Sequence, residues 1–104
     1  MRMLPTDREP TPPGEMMREE FINPLRLTQA ELAAKLGMPR TTLNAIINGK
    51  RSITPGTAIR LAKALGTTAE YWINGQLAVD LYTAEHDAEQ IRALETIRPV
   101  NGAS

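Results

Sequence analysis

The chain has 104 residues, with 12 Lys and Arg balanced by 12 Asp and Glu, so its formal charge is zero. That length suits one domain able to bury roughly two thirds of its chain surface. The sequence has no cysteine, which excludes disulfides, thiolate zinc sites and cysteine nucleophiles; no stretch has the apolar run of a signal peptide or a membrane span, which implies a cytoplasmic setting.

Residues 1–12 are polar and proline-rich and read as a disordered arm. Gly14 to Asn23 reads as a first helix with Met16, Met17, Phe21 and Ile22 facing inward. It ends at Pro24, because the residue before a proline is pushed out of the helical region. Thr28, followed three residues later by Glu31, is a capping-box start. Leu32, Ala33 and Leu36 then recur at helical spacing until Gly37 stops the second helix. A third helix, Arg40 to Asn48, buries Leu43, Ile46 and Ile47. Gly49 breaks it and puts Lys50 and Arg51 on a loop. Thr54-Pro55 opens a fourth helix with a cap and a first-turn proline; its stripe is Ala58, Leu61, Ala62 and Leu65, and Gly66 closes it. A fifth starts at Thr67 or Thr68 and carries Tyr71, Trp72, Ile73, Leu77, Ala78, Leu81 and Tyr82. A last helix, from about Glu85 to Ile97, offers Ala88, Ile91, Leu94 and Ile97. Pro99 ends it, and residues 99–104 read as a flexible tail. The expectation is an all-α bundle of five to six helices over residues 13–98.

Two short helices joined by a tight glycine turn, the second headed by polar side chains, make a helix-turn-helix pattern. In such a pair the second helix enters the major groove of DNA and its N-terminal residues read base edges. The side away from Leu43, Ile46 and Ile47 carries Arg40, Thr41, Asn44 and Ala45. Arg40 can donate twice to guanine O6 and N7, or can clamp a phosphate. Asn44, one turn later, suits adenine N6 and N7, or can be a surface amide facing water. Thr41 offers a hydroxyl or a methyl, and Ala45 allows close approach. Gln29, Thr42, Asn48, Lys50 and Arg51 form the candidate phosphate-contacting set, which positions without reading sequence; Asn48-Gly49 can equally be a structural cap. The N-terminus of the second helix directs its positive dipole end toward the strand.

Zero net charge fits a DNA binder once the charges are placed. From Leu32 to Ala69 there is no Asp or Glu, while Lys35, Arg40, Lys50, Arg51, Arg60 and Lys63 all fall there. Counterion release depends on the local basic surface rather than on the sum.

The segments TQAELAAKLG, NGKR and TAIRLAKALG resemble the Xre/Cro-type helix-turn-helix repressors. PGEMMREEFINPLRLTQAEL before the motif and ITPGTAIRLAKALGTTAEYWINGQLAVDL after it resemble the HigA antitoxin branch. The resemblance runs from Pro13 to Leu81 and implies a lambda-repressor-like fold. It further implies a dimer that represses its own operon at a palindromic operator and neutralises a HigB/RelE-like mRNA endonuclease toxin. In Xre-type repressors the residues matching Gln29 and Thr42 contact phosphate. The alternative is a stand-alone Xre-type repressor with no toxin. The sequence departs from the branch at Arg26, which stands where a glycine is usual, at Pro39, where many repressors have a serine cap, and at Pro12-Pro13, where a histidine often precedes PGE.

One helix-turn-helix reads few base pairs, so a homodimer is expected. Leu77, Leu81, Tyr82, Ile91 and Leu94, with Val79 and Ile97, form the candidate dimerisation surface, while Trp72 is assigned to the core. In the alternative arrangement the last helix folds back to complete a monomer core. No catalytic residue, metal site or cofactor is expected: His86 is the only histidine, and its Glu85 and Asp87 neighbours read as a solvated helix start.

Overall fold

The computed structural model describes residues 8–100. Its helices start where a hydroxyl, a carboxylate or a proline opens them, and the second, third and fourth stop at or just before a left-handed glycine. They are α1 (Pro13–Met17), continued as a π-helical turn over Arg18–Ile22, α2 (Gln29–Leu36), α3 (Arg40–Ile47), α4 (Pro55–Leu65), α5 (Ala69–Glu85) and α6 (Ala88–Leu94), with no strand among the described residues. Thr28, Thr54, Thr68 and Asp87 each cap the helix that follows by accepting a backbone N–H. Gly37 and Gly66 close α2 and α4 at φ 67° and 71°. Of the arm expected over residues 1–12, the first seven lie outside the described residues, and Arg8 to Pro12 carries no helix. The tail expected over 99–104 lies outside them from residue 101.

The apolar stripes of α1 to α5 meet in one core of Met17, Leu32, Leu36, Leu43, Ile46, Ile47, Ala58, Leu61 and Trp72, with Ile53 from the loop before α4. Trp72 is fully buried. Its indole N–H donates to Thr67 Oγ1 at 2.7 Å, and its ring meets Tyr71 edge-on at 5.0 Å and Phe21 at 5.6 Å. Burying so large an aromatic body demands a partner for its one polar atom, and Thr67 supplies it.

The first segment departs from the regular helix expected over Gly14–Asn23. Asn23 N–H reaches back five residues to Arg18 O at 2.9 Å, which widens the turn. Met17 and Ile22, five residues apart, thereby both become core residues, whereas α-helical spacing would have turned one of them away. Beyond the wide turn, Arg26 adopts φ 55°, the one described non-glycine residue at positive φ, and Leu27 N–H donates to Ile22 O at 3.0 Å.

Gly14 sits where α1 passes the end of α3. A Cβ there would collide with the backbone carbonyls of Ile46 and Ile47, so only glycine permits this approach. Arg18 adds a long contact, its guanidinium donating to Ile47 O at 3.5 Å.

The C-terminal half differs in character. Of the 17 residues of α5 only Trp72 is buried, and no residue of α6 is. The last helix therefore does not fold back on the core, and the molecule extends to 54 × 23 × 22 Å. The expected start of the last helix at Glu85 is corrected: Glu85 is the last residue of α5, which His86 caps, and α6 begins after the Asp87 cap and ends at Leu94. The reason is local. Asp87 accepts Gln90 N–H at 2.9 Å, and an N-cap residue needs extended backbone angles that cannot lie inside a helix.

Gly14→Ala would improve helix propensity, but the collision with fixed carbonyls dominates; a net loss of about 1–3 kcal/mol is expected, read as a lowered midpoint in thermal unfolding followed by circular dichroism. Arg26→Gly should raise the same midpoint, because relief of a left-handed side chain (about 1–2 kcal/mol) exceeds the added unfolded-chain entropy (about 0.4–1 kcal/mol).

Candidate nucleic-acid interface

Both ends of α2 are fixed by side chains. At its start Glu31 N–H donates to Thr28 Oγ1 at 3.0 Å and Thr28 N–H donates to Glu31 Oε1 at 2.8 Å, completing the capping box. That box places a carboxylate at the helix N-terminus, which offsets part of the positive end that would otherwise attract phosphate. At the far end, Arg60 of α4 donates through Nη1 to Leu36 O at 2.7 Å and Gly37 O at 2.9 Å. The turn between α2 and α3 is thus clamped from a helix more than twenty residues away in sequence.

The third helix is seated by Leu43, Ile46 and Ile47, all buried. It opens at Pro39, whose φ of −62° suits a helix start and which brings no side-chain cap. Its C-terminal end is closed by Gly49 at φ 74°, and Lys50 N–H donates to Ala45 O at 2.8 Å. This seating leaves Arg40, Thr41 and Asn44 exposed side by side around one shallow depression. Ala45 and Thr42 lie half-buried at the edges of that side.

The phosphate-contacting candidates divide. Lys50 and Arg51 are exposed on the loop after Gly49. Gln29 and Asn48 instead join Asn44: Asn44 Nδ2 donates to Gln29 Oε1 at 3.0 Å, and Asn48 Nδ2 donates to Asn44 Oδ1 at 3.1 Å. Three side chains assigned to two separate tasks are therefore brought together.

The acid-free stretch also divides. Arg40 stands on the exposed side of α3 and Lys50 and Arg51 on the loop that follows it, Arg51 near Pro12, Pro13 and Gln76, whereas Lys35, Arg60 and Lys63 line an open groove between α2 and α4 with Leu36, Ile59 and Ala64. The local charge at α3 thus comes from three of the six cations.

On the extended arm, Leu77, Leu81, Ile91 and Leu94 are exposed, Leu77 by 52 % and Leu94 by 51 %. Ile97 is exposed and Val79 half-buried. Tyr82 stands apart from them: it is half-buried and stacks on His86 with ring centres 4.0 Å apart. His86 ends α5, its Nδ1 lying 2.8 Å from Tyr82 O, instead of starting the next helix as its acidic neighbours suggest. Among the described residues no group of three or more His, Cys, Asp or Glu side chains could hold a metal, and no helix is long and apolar enough to cross a membrane.

Sequence reasoning missed Arg60, Arg18 and Gln76, whose Oε1 accepts Ile53 N–H at 2.9 Å. Each acts on backbone far away in sequence, and residue type alone carries no signal of that.

The helix-turn-helix family profile matches residues 18–72. The chain is 39% identical over 98 residues to the uncharacterized HTH-type transcriptional regulator YbaQ of Escherichia coli K12, covering 91% of this chain and 87% of that one. It is 45% identical over 80 residues to antitoxin HigA-1 of Vibrio cholerae, covering 77% and 75%. Among solved structures, the Pseudomonas aeruginosa antitoxin HigA with the higBA promoter superposes with a TM-score of 0.81 at 34% identity, covering 88% of this chain and 99% of that one.

Proposed function

The chain belongs to the Xre-type helix-turn-helix family, with HigA antitoxins among its homologues, and we propose that it binds an operator in its own promoter as a homodimer and acts as an antitoxin. The observation that carries this reading is the exposed side of α3, where Arg40, Thr41 and Asn44 stand together opposite a seated apolar face, with Lys50 and Arg51 exposed on the loop that follows. Side chains of this kind at the head of a recognition helix reach base edges, and the basic loop supplies phosphate contacts. The likeness to an antitoxin solved with its promoter supports the same reading.

This is binding chemistry throughout, in a family of regulators without enzymatic activity. Arg40 reads guanine, Asn44 reads adenine, Thr41 meets a base edge or a thymine methyl, and Ala45 allows close approach. Thr42, Lys50 and Arg51 hold the phosphates. A dimer is needed because eight residues of α3 cover only a few base pairs. The exposed leucines and isoleucines of α5 and α6 supply the surface, and an apolar row of this length is costly to leave in water. The operator is then a palindrome with half-sites one helical turn apart.

The antitoxin arm of the reading assigns the chain a second partner, a HigB/RelE-like mRNA endonuclease that it silences by binding. Affinity purification of the tagged chain from its native cells separates this from a stand-alone Xre-type repressor. A stoichiometric basic partner of toxin size supports the antitoxin role. Recovery of the chain alone, folded and dimeric, supports the stand-alone regulator.

Two variants test the parts. Lys50→Ala should weaken binding to all DNA sequences alike and reduce the slope of log affinity against log salt by about one, measured by fluorescence anisotropy over a salt series; an unchanged slope removes Lys50 from the phosphate set. Leu81→Asp should sediment as a folded monomer with poor operator affinity, and a dimer persisting in that variant moves the interface away from α5.

A further inference from the structure

An asparagine that reads adenine must present one N–H and one carbonyl lone pair along a single edge of its amide. On a helix surface the side chain rotates freely, and the ordering is normally lost from the binding free energy. Asn44 is exposed, yet both of its amide atoms are held. Its Nδ2 donates to Gln29 Oε1 at 3.0 Å, and its Oδ1 accepts from Asn48 Nδ2 at 3.1 Å.

A primary amide has two N–H groups and two acceptor lone pairs. The two contacts use one of each, leaving one N–H and one lone pair, the number that an adenine edge takes. The chain of amides starts at half-buried Gln29, on the first residue of α2, and runs outward through Asn44 to Asn48. Its end on α2 is fixed by the capping box at Thr28 and Glu31. All three amides run in the same sense, so the polarity of one is tied to that of its neighbours.

We propose that Gln29 and Asn48 are positioning residues that set the amide plane and polarity of Asn44, and thereby determine base specificity at the pair Asn44 reads. The proposal rests on the operator-binding reading above. It reassigns two residues from sequence-blind phosphate contact to base selection. Gln29 keeps its own N–H groups for a phosphate in addition, since only its carbonyl oxygen is engaged by Asn44.

The test uses the full chain and an operator selected from random DNA by the unmodified protein. Affinity is measured for every single-base variant of that operator, with folding of each protein checked by thermal unfolding. Asn44→Ala should flatten an A·T preference of about tenfold at one base pair. Gln29→Met, which keeps the side-chain length but removes the acceptor, should flatten the preference at that same pair, and should add nothing there in the Asn44→Ala background. Gln29→Glu keeps an acceptor and should keep the preference, while its charge weakens binding to every sequence alike. Asn48→Ala tests the relay independently from the other side of Asn44.

Uniform loss of affinity in Gln29→Met and Asn48→Ala, with the preference intact, overturns the proposal and leaves both as phosphate contacts. An unaltered preference in Asn44→Ala, or no operator recovered at all, instead overturns the base-reading on which the proposal stands. The two failures are thus told apart.

Discussion

An eight-residue helix has little stability of its own in water, since isolated helices shorter than about 12–15 residues are marginal. The third helix therefore exists, and points where it points, only because the rest of the domain holds it. Leu43, Ile46 and Ile47 anchor its buried side. The turn before it is clamped by Arg60 on the carbonyls of Leu36 and Gly37. Its last carbonyls lie against the backbone of Gly14, close enough to exclude any Cβ. Fixing both ends and one side leaves a single freedom, the choice of side chains on the outward side. A fold built this way can change what it reads without changing how it stands.

The distribution of charge and apolar surface follows from the same division of labour. Acids are absent from Leu32 to Ala69; apart from Glu31 of the capping box, they lie before α2 or on α5, α6 and the caps of α6. The half of the molecule that carries α3 is left basic, and the extended arm is acidic with a row of exposed leucines and isoleucines. A charge of zero is thus the sum of two unlike regions. In the proposed dimer the arm is buried between copies while the basic side of each copy stays open to the strand.

Much of this was legible in the sequence because it is local. Thr28 with Glu31, Thr54 with Pro55, and Gly37, Gly49 and Gly66 mark helix ends through contacts spanning three to five residues, and a reader of periodicity finds them. The outward position of Arg40, Thr41 and Asn44 follows from the spacing of Leu43, Ile46 and Ile47 alone. Arg26 was visible as a departure from the family's glycine, and its positive φ gives that glycine its reason. What stayed hidden depends on tertiary proximity. Gly14 looks like helix punctuation until its approach to α3 is known, Arg60 looks like a solvated cation on α4, and Gln29 lies 15 residues from the asparagine it holds. The π-turn that brings Ile22 inward is chosen by the core and not by residue propensity, and the Asp87 cap is hidden in a polar run that suits a helix on both sides.

The central claim is that two copies of α3 read one face of an operator. Hydroxyl-radical footprinting of the DNA upstream of the chain's own gene tests it most directly. Two protected tracts centred about 10 base pairs apart, lying on one face of the duplex, are the predicted result. A single tract, or no protection at concentrations that bind random DNA, contradicts the claim.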